Sequence, residues 1–265
     1  MSIKLGLIGG GVMGEAILSR LVDQGIYLSN EILVSDPTPQ RREYLQQHYG
    51  VKVTEDNHRA AEAPVLLLAI KPQVFDRVTA ELSQKSVPQL VISILAGVSI
   101  FKLEQAFGDR AVIRAMPNTP ATVGAGMTAI SPGNHLRAED LATATQIFQA
   151  VGEVVTVPES LMDAVTGLSG SGPAYIAIAI EALADGGVAA GLPREIADKL
   201  ALQTVIGTAQ LLNQSDLHPA QLKDRVTSPG GTTIAGITKL EQAGFRSALI
   251  QAVIAAAKRS QELGN

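Results

Sequence analysis

Short apolar runs alternate with longer stretches of helical spacing over the first 157 residues. The apolar runs predict strands over residues 3–8, 32–35, 65–69, 90–94, 112–115, 127–130 and 154–157. Several runs are apolar on both faces, as strands covered by helices on each side should be. A helix is predicted from Val12 to about Asp23, with Gly25 as its stop. Residues 1–157 are therefore expected to form a doubly wound α/β domain.

After Pro158 the pattern changes, because strand-like runs disappear and helical spacing continues through residues rich in Ala, Leu and Gly. Pro193 begins one predicted helix at a position that tolerates its missing N–H. Further helices are predicted over residues 232–243, ended by Gly244, and over residues 245–263. Residues 158–265 are therefore expected to form a second, all-helical domain.

Residues 174–184 are apolar almost all round apart from Glu181. A helix of this kind must be enclosed, and a small helical domain offers little interior. A partner subunit is the natural second cover, which predicts a homo-oligomer built through this half of the chain. The alternative is a buried central helix in a monomeric bundle.

A glycine fingerprint lies between the first predicted strand and the first predicted helix. It comprises Gly9, Gly10, Gly11, Val12, Met13 and Gly14. The first glycine of such a motif permits a tight turn, the second lets the backbone approach a pyrophosphate, and the third lets the helix pack on the strand. The helix N-terminus offers N–H groups to the phosphates. The motif predicts a dinucleotide site in a Rossmann-type domain; the alternative is a flexible glycine-rich surface turn.

Composition excludes several other classes of protein. The chain has 265 residues and no cysteine, which excludes disulfides, thiolate metal sites and cysteine nucleophiles. A net charge of -4 and 3% aromatic residues give no basic or stacking surface for nucleic acid. The scattered histidines form no HExxH pair, so no metal site is expected. No membrane-spanning run or export signal is found, which predicts a cytoplasmic protein.

Polar residues concentrate in three loops, AIKP at 69–72, MPNTP at 116–120 and SPGGTT at 228–233. In the last loop, two glycines and two threonines at a helix start present consecutive N–H groups and hydroxyls. Such a set of donors suits a small carboxylate. The alternative is plain capping, with a threonine serving its own helix.

The chain resembles the pyrroline-5-carboxylate reductase family over nearly its whole length. The resemblance is carried by GGGVMGEAI at 9–17, AIKPQ at 69–73, RAMPNTPA at 114–121, DAVTGLSGSGPAYI at 163–176, ALADGGVAAGLPR at 182–194 and HPAQLKDRVTSPGGTTIAGI at 218–237. It implies reduction of the cyclic imine 1-pyrroline-5-carboxylate to proline by NAD(P)H. It also implies a dinucleotide domain followed by a helical dimerisation domain, with active sites shared between subunits.

The resemblance assigns most of the cofactor site. It implies that the six fingerprint residues bind the pyrophosphate, that Asn57 lies at the adenosine end, and that the path towards the nicotinamide is lined by Ala69, Ile70, Lys71, Pro72, Ala96 and Gly97. Lys71 invites a proton-donor role, but Pro72 fixes the turn behind it, so cofactor binding is the preferred assignment.

The substrate site is also assigned by resemblance. It implies that Gly231, Thr232 and Thr233 receive the substrate carboxylate through backbone donors, with the Thr233 hydroxyl as the catalytic group at the ring nitrogen. Glu159 matches a substrate-side position, and its alternative is a charged residue at the domain hinge. Arg225 stands where relatives can carry Asn, although a guanidinium still suits a carboxylate.

The alternative cofactors are NADP(H) and NAD(H), and the residues after the second strand point both ways. Asp36 lies about 20 positions beyond the glycines, where an acid that binds the ribose hydroxyls of NAD is expected. Ser35, Thr38, Arg41 and Arg42 instead suit the 2′-phosphate of NADP. Asp36 would repel that phosphate unless its carboxylate turns to solvent. NADP(H) is the preferred prediction.

Two other functions are open to the sequence. One is that of a β-hydroxyacid dehydrogenase, because Gly167, Gly170 and Gly172 match the GxxGxGxxxK motif of that group. Ile176 replaces its proton-transferring lysine, so alcohol oxidation lacks a base. Imine reduction needs less, because the substrate nitrogen can enter already protonated. The other alternative is a dinucleotide-binding regulator without turnover, whose helical half serves assembly.

Overall fold

A computed structural model of the protein describes residues 2–82 and 88–264. These residues divide into two compact units. The first unit contains the chain up to Ser171 and again from Ala255 onward, and the second comprises Gly172–Ile254. The predicted boundary at residue 157 follows the last strand. Contacts within the structure instead group residues 158–171 and the end of the chain with the sheet.

The first unit is built on a sheet whose described strands run in the order β3-β2-β1-β4-β5-β6-β7-β8. The strands are β1 (Leu5–Ile8), β2 (Ile32–Ser35), β3 (Lys52–Thr54), β4 (Val65–Leu68), β5 (Leu90–Ser93), β6 (Ala111–Met116), β7 (Gly126–Pro132) and β8 (Gly152–Thr156). Strands β1 to β6 are parallel, β7 is antiparallel to β6, and β8 is parallel to β7. The predicted α/β architecture is confirmed.

Helices follow most of the strands and cover both faces of the sheet. They are α1 (Val12–Asp23), α2 (Pro39–Tyr49), α3 (Asn57–Ala61), α4 (Phe75–Glu81), α5 (Ile100–Phe107), α6 (Ala138–Gln149) and α7 (Met162–Val165). Helix α1 has the predicted bounds, and Gly25 follows it with a φ of 67°. A π-helical turn at Thr166–Gly170 comes directly after α7.

Alternate residues of the central strands enter two separate cores, as expected for strands apolar on both faces. On one face, the strand residues pack with α1 and α6 and include Leu7, Leu67, Ile92 and Ile113. On the other face, they pack with α3, α4 and α5 and include Ile8, Leu66, Leu68, Val91 and Val112. The sheet is therefore a rigid platform on which loops at the strand ends are held.

Strand β3 was missed by the sequence prediction. Its three residues include the exposed Lys52 and the half-buried Val53, so no apolar run marks it. It exists because it pairs with Leu33–Ser35 of β2 at the edge of the sheet. Pairing with a stronger neighbour here overrides a weak local signal.

The second unit consists of helices in its described part. They are α8 (Gly172–Ala189), α9 (Arg194–Asn213), α10 (Pro219–Arg225), α11 (Thr232–Gln242) and α12 (Phe245–Gly264), of which α12 runs on into the first unit. Pro193 was predicted to be the first residue of this helix, and it is instead the N-cap of α9, one residue earlier. Helices α8 and α9 share a small core of Ala184, Ala197 and Ala201 with Ile180.

Helix α8 is largely uncovered within the single chain. Ile176, Ile178 and Leu183 keep 47%, 65% and 54% of their surface exposed. The alternative of a buried central helix in a monomeric bundle is therefore wrong. No described helix is long and apolar enough to cross a membrane.

The close approach of α3 to β1 depends on Gly6. A Cβ at Gly6 would overlap the carbonyl oxygen of Ala60 and lie 2.7 Å from its carbonyl carbon. We expect Gly6→Ala to lower the free energy of unfolding by about 3 kcal/mol or more, because backbone cannot move aside as a side chain can. Urea titration followed by circular dichroism measures this change.

Gly11→Ala is the matched control, because no atom lies within 4 Å of the Cβ position at Gly11. Its free energy of unfolding should stay within about 0.5 kcal/mol of the wild type. Equal losses in the two variants would contradict the packing role of Gly6.

Candidate functional site

The loops predicted to bind a cofactor lie along one edge of the sheet. Strands β1, β4, β5 and β6 are parallel neighbours, and Ile8, Leu68, Ser93 and Arg114 are aligned in successive registers. The segments that follow these residues therefore emerge side by side at the carboxyl edge. In open α/β sheets, this edge is where ligands bind.

Each glycine of the fingerprint meets a different steric demand. Gly9 has a φ of 101°, and a Cβ there would lie 2.5 Å from the Ala69 carbonyl oxygen. A Cβ at Gly14 would overlap the Gly9 carbonyl oxygen. Gly11, which precedes α1, has no atom within 4 Å of its Cβ position and is exposed. The alternative of a flexible surface turn is wrong, because Gly9 and Gly14 are buried and tightly packed.

The open space at Gly11 fits the predicted cofactor. A side chain there would fill space directly before the N-terminus of α1, which carries no side-chain cap. The first N–H groups of an uncapped helix and its partial positive charge favour a phosphate. The residues present therefore fit a dinucleotide pyrophosphate.

The Asp36 carboxylate holds the fingerprint turn by hydrogen bonds to backbone N–H groups. Its Oδ2 accepts a hydrogen bond from the Gly10 N–H at 2.9 Å, and its Oδ1 accepts one from the Thr38 N–H at 2.9 Å. Only 8% of the residue is exposed. The carboxylate therefore does not turn to solvent, which was the condition for avoiding repulsion of a 2′-phosphate, and backbone N–H groups compensate for its burial.

The two arginines predicted near a 2′-phosphate already have protein partners. Arg41 donates to the Gly10 carbonyl oxygen and to the Glu15 carboxylate. Arg42 donates to the carbonyl oxygens of Asp36 at 2.8 Å and Pro37 at 3.1 Å. Both guanidinium groups thus hold the loop after β2 in place.

Glu15 connects the first turn of α1 with α2. Burial raises the pKa of the Glu15 carboxyl, but hydrogen bonds from Arg41 and Tyr49 outweigh burial and leave the pKa below its usual value. The Tyr49 hydroxyl donates to Glu15 at 2.7 Å, and burial together with this carboxylate raises the pKa of the phenol. Glu15 therefore stays ionised and Tyr49 stays neutral at physiological pH.

Two residues predicted at the adenosine end are in contact. The Ser35 hydroxyl donates to Asn57 Oδ1 at 2.8 Å, across the ends of β2 and the start of α3. The structure thus brings Ser35 and Asn57 into one polar pair. They lie on the same side of β1 as Asp36, because β2 is the neighbour of β1.

The predicted nicotinamide-side residues follow β4 and β5. Ala69 and Ile70 continue from β4, and Lys71 is an exposed residue before the turn Pro72–Val74. Gly97 has a φ of 76°, and a Cβ there would lie 3.3 Å from the carbonyl oxygen of Leu263. The end of α12 therefore packs against the loop of Ala96 and Gly97.

Glu159 has structural partners in the first unit. Its Oε1 accepts hydrogen bonds from the Ile100 N–H at 2.7 Å and from Arg114 Nη1 at 3.0 Å. Arg114 is only 8% exposed on β6. The carboxylate thus joins the start of α5 to the sheet. Arg114 was not singled out from the sequence, although an arginine inside an apolar strand is a signal for a buried ion pair.

The predicted carboxylate-binding residues lie at the start of α11 in the second unit. Gly231 precedes the helix, Thr232 and Thr233 occupy its first two positions, and no side-chain cap is formed. The alternative of plain capping by a threonine is therefore wrong. The first N–H groups of α11 remain available to an acceptor. Arg225 is exposed at the end of α10 in the same unit.

Several charged side chains near these positions already have hydrogen-bond partners in the protein, namely Asp36, Arg41, Arg42 and Glu159. Among residues 2–82 and 88–264, no group of three His, Asp or Glu side chains is placed to hold a metal ion.

Comparisons with known proteins cover the whole chain. A family model described as pyrroline-5-carboxylate reductase dimerisation matches residues 159–263. One described as NADP oxidoreductase coenzyme F420-dependent matches residues 4–97. The chain is 64% identical to pyrroline-5-carboxylate reductase from Synechocystis sp., over 100% of this chain and 99% of the relative.

Solved structures agree with this similarity. A pyrroline-5-carboxylate reductase from Coxiella burnetii shares 36% identity with a TM-score of 0.90, covering 99% of both chains. The pyrroline carboxylate reductase of Plasmodium falciparum, solved with NADP bound, shares 31% identity with a TM-score of 0.88, covering 99% of this chain and 98% of that one. On this evidence, the chain belongs to the pyrroline-5-carboxylate reductase family.

Proposed function

We propose that the protein reduces 1-pyrroline-5-carboxylate to L-proline, with NADPH as the preferred hydride donor. Beyond family membership, one observation carries the proposal: α11 begins with uncapped N–H groups beside two threonine hydroxyls. A helix start of this kind binds a small anion through backbone donors and partial positive charge. The substrate is a small cyclic imine that carries one carboxylate.

The cofactor site is proposed on the first unit. Gly9, Gly10, Gly11, Val12, Met13 and Gly14 bind the pyrophosphate, and Ser35 and Asn57 bind the adenosine end. The path to the nicotinamide is lined by Ala69, Ile70, Lys71, Pro72, Ala96 and Gly97. Support comes from the open space at Gly11 and from the common sheet edge. When bound, NADPH supplies the hydride.

Substrate residues are proposed mainly on the second unit. The backbone donors of Gly231, Thr232 and Thr233 bind the carboxylate, and the Thr233 hydroxyl hydrogen-bonds the ring nitrogen. Arg225 adds a positive charge for the same carboxylate, supported by its exposure at the end of α10. Glu159 is proposed on the substrate side, with only its Oε1 committed to the Ile100 and Arg114 contacts.

Reduction of a protonated imine does not require a side chain that acts as a general base. The imine carbon gains the hydride, and the ring nitrogen carries the proton with which the substrate enters. The protein must therefore orient the ring and stabilise its charge, rather than remove a proton. Ile176, where related dehydrogenases have lysine, is a half-exposed apolar residue of α8. This disfavours the β-hydroxyacid dehydrogenase alternative.

A homodimer or higher homo-oligomer is proposed through the helical second unit. Support comes from the exposed apolar residues of α8 and from the dimerisation family model, which covers 159–263. Large exposed apolar patches mark interaction surfaces. The cytoplasmic location stays a prediction from the sequence.

The direct test is an assay of NADPH absorbance with racemic pyrroline-5-carboxylate. We expect oxidation of NADPH with equimolar formation of proline. The control omits the imine, and a parallel assay supplies a β-hydroxyacid with NADP⁺. A protein that binds NADPH but shows no turnover with the imine would instead be the dinucleotide-binding regulator.

Thr233→Val tests the catalytic hydroxyl. Valine keeps the shape of the side chain but loses the hydrogen bond, so kcat/KM for the imine should fall roughly 10- to 100-fold. NADPH affinity should be unchanged. Thr233→Ser restores the hydroxyl and should keep activity within about fivefold of the wild type. Equal activity of the Val variant and the wild type would remove the hydroxyl from the mechanism.

Asp36→Asn tests how the cofactor is recognised. An amide cannot accept hydrogen bonds from both Gly10 and Thr38 through two oxygens, so the fingerprint turn loses support. We expect KM to rise about three- to tenfold for NADPH and NADH alike, with their ratio nearly unchanged. Steady-state kinetics with both cofactors measures this. A selective gain for NADPH would show instead that Asp36 repels the 2′-phosphate.

A further inference from the structure

The segment 116–120 lies at the same sheet edge as the proposed cofactor residues but has no role in that proposal. Strands β1, β4, β5 and β6 are neighbours in this order, so the segments after them follow one another along the edge. The proposed cofactor positions run along it from Gly11 after β1 to Gly97 after β5. The segment after β6 is the next in line, beyond the nicotinamide end.

Asn118 in this segment joins three parts of the first unit. Its Oδ1 accepts a hydrogen bond from the Met127 N–H at 2.8 Å, at the start of β7. Its Nδ2 donates to the carbonyl oxygen of Ser169 at 3.2 Å and to the Ser169 hydroxyl at 3.3 Å. The side-chain amide of Asn118 thus accepts a hydrogen bond from the sheet and donates hydrogen bonds to the π-helical turn.

Asn118 thus contacts the π-helical turn Thr166–Gly170. The turn is closed by the Ser171 N–H, which donates to the Thr166 carbonyl at 2.9 Å. π-helical turns are rare and occur frequently at functional sites. The turn also packs on the end of β6, because a Cβ at Gly170 would lie 3.0 Å from Met116 Cε. Met116 and Asn118 therefore both contact the turn, at Gly170 and at Ser169.

We infer that Asn118 is a positioning residue for imine reduction, which fixes the turn at Ser169 and Gly170 beside the nicotinamide end of the cofactor. This inference rests on the proposed function. It assigns a purpose to the GLSGSG segment, which resembles the motif of the dehydrogenases but lacks their lysine at position 176. The segment forms part of the site where the substrate ring is reduced. It does not contribute to the affinity for NADPH.

The test uses the full-length protein with Asn118→Ala and Asn118→Asp. Aspartate retains the acceptor for the Met127 N–H but cannot donate to Ser169. Both variants should lose roughly tenfold or more in kcat for pyrroline-5-carboxylate, because small displacements at a reacting site are costly. The Kd for NADPH, measured by cofactor fluorescence, should stay within about twofold of the wild type. Thermal unfolding checks that the Asp variant is folded, and its transition should remain cooperative.

A control variant separates positioning from charge. Thr119→Asp introduces the same charge at the neighbouring exposed residue and should keep kcat within about threefold. Wild-type kcat in Asn118→Asp, or a loss of NADPH affinity in proportion to kcat, would overturn the inference. A wild-type protein inactive with the imine would overturn the proposed function first.

Discussion

The close contact between the start of α1 and the ends of β1 and β4 is the constraint on which the proposed cofactor site depends. Gly14 lies against the Gly9 carbonyl, and Gly9 lies against Ala69, at distances that no Cβ could accept. Because the helix starts this close to the strand ends, its first N–H groups face the carboxyl edge of the sheet. The Gly10 N–H is then held by a buried carboxylate, that of Asp36. The close packing at Gly9 and Gly14 thus determines the position of α1, the conformation of the fingerprint turn and the direction of the available N–H groups.

Charged side chains of the loop after β2 stabilise the close contact between α1 and the strand ends. The residues that suggested cofactor selectivity from the sequence, Asp36, Arg41 and Arg42, bond to the backbone of the fingerprint turn and of the loop itself. A buried carboxylate with two N–H donors is satisfied without a ligand. Their first role is therefore to hold the loop, which leaves Ser35 and Asn57 as the residues proposed at the adenosine end.

Local pattern predicted the strands, α1 and the helical second half, because apolar residues recur in these elements with the spacing of strands or helices. The short β3 escaped prediction because its existence depends on pairing with β2. Two contacts of the first unit join residues far apart in the sequence. Arg114 and Glu159 are 45 positions apart, and Asn118 and Ser169 are 51 positions apart. Local periodicity in the sequence cannot predict contacts between residues so far apart. At the candidate site, motifs located the glycines and threonines, but only the structure showed which polar groups already have partners.

The second unit raises a separate question of stability. Helices α8 and α9 share a core of three alanines with Ile180, while much larger side chains such as Ile178 and Leu183 stay exposed. Alanines bury little area, so this core contributes little hydrophobic stabilisation by itself. Covering the exposed side chains would contribute much more per residue. Folding of this unit and its association with a second copy are therefore expected to be coupled, as in obligate oligomers. The substrate site proposed at the start of α11 lies on this unit, so substrate binding is expected to depend on the oligomeric state.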